Sequence, residues 1–494
     1  MIGPMRLEGE EATARLAEDI AMVAAPGWTI RLDGDLGAGK TSFARAFISA
    51  LADSPDLEVP SPTYTIVQRY DEADPAVLHA DLYRLADPSE MTELGLDDPD
   101  DPAIRLIEWP SQAGEGAFPG ALTLSLTMDG ETARAASLSG PDPLMDRLRR
   151  SFAIREFLTK STHATTERRR LQGDASTRRY ERLVSDPQLI VMDAARQPDG
   201  PVVKDGKPYS QLVHLAESVH AFVAVGTALR SNGFAAPEIL AQDLDAGLLL
   251  LEHLGTGSIL RDDGGPDPGR YETVSLLLAT LHETDWNPVL PVPGDDSHTL
   301  HRYDQDVFLT EISLCPDWYL DHRRIDPVSF DRAGFDATWR SLLAPLDDQP
   351  ATLTLRDFHS PNLIWRPDQQ GLARVGIIDH QDALFGPPAY DVASLIQDAR
   401  VTVSPTLQSR LLSAYAGARG AGFDREAFEA GVALMTVQRN TKILGIFARL
   451  NARDGKPAYL AHLPRIEDYV RQSLEHPSLA TLRPFYDQIL PRAD

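Results

Sequence analysis

The sequence predicts two folds in one chain: an α/β nucleotide-binding domain, then an α+β domain with a small β-rich lobe and a large helical lobe. Three observations predict it. "GDLGAGKT" (34–41) lies between a strand-like and a helix-like segment. "LTLRDFHSPNLIW" (353–365) and "VGIID" (375–379) supply a second set of carboxylates more than three hundred residues later. Between them the pattern changes, from short β-branched runs to long helical periods from about residue 270 onward.

At 494 residues the chain is several times the usual domain size, and its 43% hydrophobic content can fill two to four cores. Lys and Arg total 47 against 73 Asp and Glu, a formal charge of −26, which disfavours a protein that grips a nucleic-acid backbone through a broad basic face. Any RNA it serves is expected to be held by a partner. The single cysteine, Cys315, excludes an internal disulfide or a Cys-rich metal site and suits a reducing cytoplasm. No run of about 18 apolar residues and no basic-then-apolar leader is seen, so neither a membrane span nor a signal peptide is expected.

Strands are expected at 28–34, 63–70, 76–85, 103–109, 121–127 and 133–139, where apolar and β-branched residues run between turn signals. Helical spacing at 10–24 and 40–52 completes an α/β sandwich of about 140 residues. "GDLGAGKT" fits G-x4-G-K-[ST] at Gly34, Gly39, Lys40 and Thr41, with Gly37 inside the loop. The glycines let backbone N–H groups turn inward on a phosphate, Lys40 neutralises its outer oxygens, and Thr41 reaches a magnesium ion (Mg2+) at the helix N-terminus. Asp81 ends a strand, where it can hold the same Mg2+ through a water or simply close the strand. Glu108 ends the next strand and can polarise an attacking water, since γ-phosphate hydrolysis needs a positioned nucleophile. Trp109 reads first as a core or surface aromatic.

"GDLGAGKT", "SPTYTIVQRY", "HADLYRL" and "IEWP", in that order within 80 residues, resemble the TsaE family, the ATPase subunit of the bacterial machinery that makes threonylcarbamoyladenosine beside the tRNA anticodon. The resemblance covers residues 1 to about 140, within an expected domain 1–145. It implies that Lys40 and Thr41 bind the phosphates of ATP and Mg2+, and that 61–65 is a switch-like segment. Asp81 would help hold the metal, and Glu108 with Trp109 would complete the hydrolysis site. It further implies docking on partner subunits of the TsaB and TsaD type, with tRNA met only indirectly.

"GPDPLMDRLRRS" (140–151) carries the Gly and Pro of a domain boundary, so the second domain is expected at 150–494, with a small lobe at about 150–255 and a helical lobe at about 256–494. Two strands are expected within 176–194, a long helix at 209–231, an apolar strand at 247–254 and short strands around 353 and 375. Asp357 and Asn362 have the D-x4-N spacing of a kinase catalytic loop, in which the Asp takes the proton of the attacking hydroxyl and the Asn holds Mg2+. Asp379, at the end of an apolar strand, supplies the second metal carboxylate. Asp391 reads as a helix cap or a brace for the loop, and Asp382 as facing substrate or solvent. In the small lobe, Gly173 followed by Ser176, Arg178 and Arg179 suits a phosphate-covering hairpin, or else an ordinary hairpin with solvated arginines.

"GDASTRRYERL", "IVMDAA", "LLLLEHLG", "LRDFHSPNLIW" and "GIIDHQDALFGPPAYDVASL" resemble the aminoglycoside phosphotransferase and choline kinase superfamily across about 150–480, and more narrowly the AmgK type of amino-sugar kinase. The implied architecture is an α/β P-loop NTPase domain followed by an α+β protein-kinase-like (aminoglycoside phosphotransferase) two-lobed domain. In it, "LLLLEHLG" resembles the linker between lobes, with Glu252 to Leu254 at the adenine. AmgK-type enzymes use ATP to phosphorylate the anomeric hydroxyl of N-acetylmuramate and N-acetylglucosamine in peptidoglycan salvage. Two departures stand out. Met192, Asp193 and Ala194 occupy the place of the strand lysine, as also occurs in the amino-sugar group, leaving Arg178 or Arg179 to neutralise phosphate. Leu355 stands where the loop His is usual. A kinase of an aminoglycoside, a choline-like or a homoserine-like alcohol, or a non-catalytic module in one half, are the alternatives.

Overall fold

A seven-stranded sheet organises the first part of the chain. In the computed structural model it is built from β1 (Ile2–Glu8), β2 (Thr29–Asp33), β3 (Val67–Tyr70), β4 (Val77–Asp81), β5 (Ile104–Glu108), β6 (Leu122–Asp129) and β7 (Ala133–Ser139), in the spatial order β1-β7-β6-β2-β5-β4-β3. The structure describes residues 1–490 except 53, 55–56, 86, 88–89, 115, 172–177, 186, 197–199 and 295. The inner strands β6, β2, β5 and β4 run parallel, and both edges are antiparallel. Every residue of β4 and β5 is buried, as expected of parallel strands covered on both faces. Helices α1 (Gly9–Ala21) and α2 (Lys40–Ala52) bring Leu16, Ile20, Phe43 and Phe47 into this core.

Two elements differ from expectation. The strand expected at 63–70 begins only at Val67, because Ile66 adopts a left-handed φ of 63° and Thr63 Oγ1 donates to Asp81 at 2.8 Å. β1 was not anticipated: "IGPMRLE" carries Gly and Pro, which an edge strand tolerates, and its pairing with β7 shifts register between Ile2 and Met5.

Backbone contacts divide the chain into two units, Met1–Ala195 with Leu240–His253, and Arg196–Ile239 with Leu254–Asp494. The first unit thus also contains a five-stranded sheet, ordered Ile239–Asp243, Leu248–Glu252, Leu189–Asp193, Arg179–Val184 and Glu167–Leu171. The stretch 140–151, read from sequence as a boundary, opens the helix Asp142–Lys160, which serves both cores. Its Met145 and Leu148 pack into the core of the first sheet, and its Ile154, Phe157 and Leu158 into that of the second.

Ions seal this junction. Arg168 is fully buried and donates to Asp19 Oδ1 at 2.6 Å and to both oxygens of Glu181 at 2.7 and 2.8 Å. Burial lowers the proton affinity of the Arg168 guanidinium, but Glu181 and Asp19 more than reverse that. Arg155 bonds Asp19 at 3.0 Å and pairs with Glu18, and Ser151 Oγ donates to the Asp19 carbonyl at 2.6 Å. A fully buried guanidinium is tolerated only when paired in this way.

In the second unit helices dominate, and Tyr271, Phe308, Tyr319, Phe335, Trp339 and Tyr390 are among its buried side chains. The helix expected at 209–231 is two, Tyr209–Leu212 and Val219–Ser231. Between them His214 takes a left-handed φ of 53°, the Val213 carbonyl accepts from Arg356, and the Ala216 N–H goes to Asp382. Tertiary partners take the backbone groups that a helix would have paired. Short strand pairs join Thr352–Thr354 to Leu384–Gly386 and Leu363–Trp365 to Val375–Ile377. Among the described residues no helix is long and apolar enough to cross a membrane.

Arg168→Ala removes the cation bonded to Glu181 and leaves Asp19 with Arg155 alone, and should destabilise the first unit by about 3–5 kcal/mol. Lys160→Ala, which removes an exposed pair with Glu156, should leave the denaturant midpoint in place. Equal midpoints for the two variants would refute a structural role for the buried network.

Candidate active sites

The phosphate loop spans the gap between β2 and α2. Gly34 has a φ of 152°, and a Cβ there would meet the Leu126 carbonyl oxygen at 2.4 Å, so only glycine lets the loop pass under β6. Arg134 on β7 fixes the loop from outside, donating to Ala38 O at 3.2 Å and Gly37 O at 3.1 Å. Lys40 is buried, donates to the Gly34 and Asp35 carbonyls at 2.7 and 3.0 Å, and lies 3.8 Å from the centre of the Trp109 ring. Burial pushes its ammonium below the usual lysine range, while Glu108, Asp81, Asp35 and Asp33 pull it back.

Register places the acids. Asp81 and Glu108 are direct partners at the C-terminal ends of the adjacent parallel strands β4 and β5, and Leu32 of β2 is Glu108's other partner. Both carboxylates therefore stand beside the loop that follows β2, where open parallel sheets bind ligands. Thr41 Oγ1 donates to Glu108 at 3.0 Å. Asp81 accepts from Thr63 at 2.8 Å and from the Tyr83 N–H at 3.1 Å. Trp109, with a left-handed φ of 56°, stacks obliquely on Tyr83 at 5.2 Å. A cavity of about 360 Å³ opens here, lined among others by Gly37, Lys40, Thr41, Asp81, Glu108 and Trp109.

Two contributors at this site were not singled out from sequence. His79, fully buried, lies with Nε2 2.9 Å from Glu108 Oε1, and its Nδ1 has no hydrogen-bond partner among the described residues. That fits the Nε2–H tautomer donating to Glu108 and orienting it. Its position in "VLHAD", two residues before Asp81 and so on the same face of the strand, was the available signal. Arg134 gave none, because its loop contacts cross almost a hundred residues.

In the second unit, buried acids hold the catalytic loop. Asp391 accepts the N–H groups of Leu355 at 2.6 Å and Arg356 at 2.9 Å, so it braces the loop, while Pro388 occupies the cap position of its helix Ala389–Ile396. Arg356, with a left-handed φ of 67°, pairs with Glu311. Glu311 also accepts from Tyr303 at 2.6 Å, Gln438 at 3.0 Å and Lys442 at 3.3 Å. Neither Glu311 nor Lys442 was anticipated.

Asp357 is partly exposed at the end of this scaffold. Burial raises its carboxyl's proton affinity, but Lys442, His359, Arg439 and Arg356 together pull it below the ordinary value, so it is ionised at neutral pH. Asn362 Nδ2 donates to the Asp357 carbonyl at 2.9 Å. The Leu363–Ile377 pairing continues as Ile378 N–H to Asn362 O at 3.0 Å, which sets Asn362 and Asp379 at the same end of the strand pair. Asp379 has a left-handed φ of 57°, and its Oδ1 accepts from Gln381 at 3.0 Å.

An adjacent carboxylate and amide oxygen fit Mg2+, which takes one or two protein oxygens and fills the rest of its shell with phosphate and water. Among the described residues no group of three or more His, Cys, Asp or Glu is arranged to hold a metal ion.

Ser176 lies outside the described residues, Arg178 is half-buried and Arg179 exposed. Asp193, where a kinase strand carries lysine, accepts from Arg150 Nε at 2.9 Å and Nη2 at 2.6 Å. Glu252 ends its strand in the first unit, and Leu254 belongs to the second.

Asp398 braces the turn after Asp357, accepting from Ser360 N–H at 2.8 Å and Arg400 N–H at 2.7 Å. Burial opposes its ionisation, but His359 and Ser360 overcome this and hold its pKa down to about 2. A depressed carboxyl stabilises the fold above the unfolded pKa and loses that stabilisation as pH falls through the folded one. The contribution of about 2 kcal/mol at neutral pH should fall to about half near pH 3. The difference in melting temperature between wild type and Asp398→Asn should therefore narrow as pH drops from 6 to 3, and a constant difference would count against this brace.

The matches to known families divide the chain between residues 136 and 167. Residues 7–136 match the family model "Threonylcarbamoyl adenosine biosynthesis protein TsaE", and residues 167–429 match "Phosphotransferase enzyme family". The N-acetylmuramate/N-acetylglucosamine kinase of Caulobacter vibrioides is 37% identical over 358 residues, covering 69% of this chain and 97% of that protein. The kinase of the same name from Pseudomonas aeruginosa is 34% identical over 320 residues, covering 63% of this chain and 85% of that one. The tRNA threonylcarbamoyladenosine biosynthesis protein TsaE of Rickettsia felis is 34% identical over 148 residues, covering 29% of this chain and 86% of that one. With a phosphate loop and two strand-end acids in one part and a braced Asp-Asn-Asp set in the other, the chain is a bifunctional fusion that belongs to the TsaE family through its N-terminal part and to the phosphotransferase enzyme family through its C-terminal part.

Proposed function

We propose that the chain carries two independent ATP-using sites: a hydrolase serving threonylcarbamoyladenosine formation in tRNA, and a kinase that phosphorylates the anomeric hydroxyl of N-acetylmuramate or N-acetylglucosamine. The observation that carries this reading is that each site has its own acids on its own scaffold. The supporting relatives span nearly the whole of a named amino-sugar kinase and most of a TsaE protein.

At the first site Lys40 and the backbone N–H groups of the loop around Gly34, Gly37 and Gly39 bind phosphate. Thr41 and Asp81 would hold Mg2+, which screens the phosphate charge. Glu108, oriented by His79, accepts a proton from the attacking water, and Trp109 excludes bulk solvent beside Lys40. The acidic surface charge suits docking on partner proteins of the TsaB and TsaD type, which would hold the tRNA.

At the second site Asp357 accepts the proton of the sugar hydroxyl as its oxygen attacks the γ-phosphorus and the bond from that phosphorus to ADP breaks. Asn362 and Asp379 would hold Mg2+.

Because the helix Asp142–Lys160 contributes to two cores, the test uses the full chain. Lys40→Ala should abolish sugar-independent ATP hydrolysis while sugar 1-phosphate formation, followed by phosphorus NMR, stays within about twofold. Asp357→Asn should do the reverse, with sugar phosphorylation down about 10²–10⁴-fold. Sugar phosphorylation unchanged by Asp357→Asn would sink the kinase assignment, and loss of both activities in Lys40→Ala would sink the independence of the sites.

A further inference from the structure

The second unit contains a cavity of about 280 Å³ for which the phosphoryl-transfer residues give no account. Its walls are the segment leading into the helix Val219–Ser231, the strand Asp296–Thr299 with the following turn, and the segment just beyond Asp379. The polar side chains facing it include His214, Ser218, His298, Thr299, His301 and Gln381.

Two connections tie this cavity to the reacting centre. Gln381 Nε2 donates to Asp379 Oδ1 at 3.0 Å and to Asp382 Oδ2 at 3.3 Å, and Asp382 Oδ1 accepts the N–H of Ala216 in the cavity wall at 2.7 Å. Arg356, next to Asp357, donates to the carbonyl of Val213 at 3.0 Å, immediately before His214.

The wall is also prepared for a ligand. Gln381 is 3% exposed, and its Oε1 has no hydrogen-bond partner among the described residues. A buried amide oxygen is costly to leave unpaired, and a ligand O–H or N–H would satisfy it. His214 holds a left-handed backbone and stacks flat on His301, ring centres 4.2 Å apart and planes 9° apart. Strain of this kind is retained where surrounding structure and ligand contacts require it.

The chemistry of the wall selects the ligand class. Burial, together with the charge of neighbouring histidines, holds His214 and His298 below the ordinary imidazole value, so near pH 7 each ring offers one donor and one acceptor. Glu217 is the one acidic side chain on the described wall, and it lies 3.7 Å from Arg196. The wall has no Trp, Tyr or Phe to cage an ammonium group. Neutral donors and acceptors suit ring hydroxyls and an acetamido group better than a cationic alcohol.

We propose that this cavity is the acceptor subsite of the second active site, binding an N-acetylated monosaccharide through hydrogen bonds with His214 and His298 and one accepted by Gln381 Oε1. The proposal rests on the sugar-kinase reading above. His298→Ala and His214→Asn, the latter chosen because Asn tolerates a left-handed backbone, are assayed in the full chain with N-acetylglucosamine and ATP varied separately. KM for the sugar should rise about tenfold or more, with kcat and KM for ATP within about twofold. The sugar-independent hydrolysis that requires Lys40 should be unchanged.

A footprint on the wild type removes dependence on variant folding. Saturating N-acetylglucosamine should slow diethylpyrocarbonate modification of His214, His298 and His301, but not of His476. Unaltered sugar KM in both variants, or equal modification rates with and without sugar, overturns the subsite while leaving the kinase assignment standing. A wild-type chain that phosphorylates neither sugar overturns both.

Discussion

Glu311 is a carboxylate with no access to water, and the catalytic loop is built around keeping it paired. Burial alone would drive it to the neutral form, yet Lys442, Arg356, Tyr303 and Gln438 supply enough positive charge and donors to hold it below the ordinary carboxylate value. Each partner is thereby constrained. Arg356 must reach inward, which its left-handed backbone allows, and the chain then emerges with Asp357 near the surface. Removing one partner of such a cluster would strand a buried charge, so the loop's shape is set from beneath rather than by its own sequence.

Asp391 completes the support by taking the N–H groups of Leu355 and Arg356. This explains why a leucine is compatible with the position where kinase loops carry histidine. The bracing role has moved to a carboxylate thirty-five residues on from Arg356, and the freed side chain is buried as packing. The first unit uses the same device at another place. Glu18 and Asp19 lie near the end of α1, whose first turn lines the phosphate-loop cavity, and Arg155 and Arg168 lock them to the following helix and sheet. A compositional boundary at 140–151 is therefore not a boundary of packing.

What could be read from sequence was whatever depends on spacing along the chain. The phosphate loop is dictated by backbone geometry over eight residues, Asp81 and Glu108 follow from being the last residues of apolar strands, and Asp379 from standing two residues past one. Asp357 and Asn362 are legible because one loop must present both. Arg134, Glu311 and Lys442 were not legible, since each acts through a partner set by strand register or helix packing and far away in sequence, and for His79 only its face of the strand was. The helix expected at 209–231 failed for a related reason. Its propensity was real, but Arg356 and Asp382 claim the backbone groups of Val213 and Ala216.

The missing strand lysine can be traced further. Asp193 at that place is already neutralised by Arg150 of the helix Asp142–Lys160, so this position cannot contribute positive charge to a phosphate. Lys442 is no substitute, because it is buried and committed to Glu311 and to the Tyr390 hydroxyl at 2.7 Å. Arg179, by contrast, is exposed and is the direct ladder partner of Asp193. With Asp193 satisfied from the other side by Arg150, Arg179 can turn toward an anion without leaving a buried acid unpaired. The aspartate that stands in place of a strand lysine is thus a paired structural acid, and the adjacent Arg179 remains exposed.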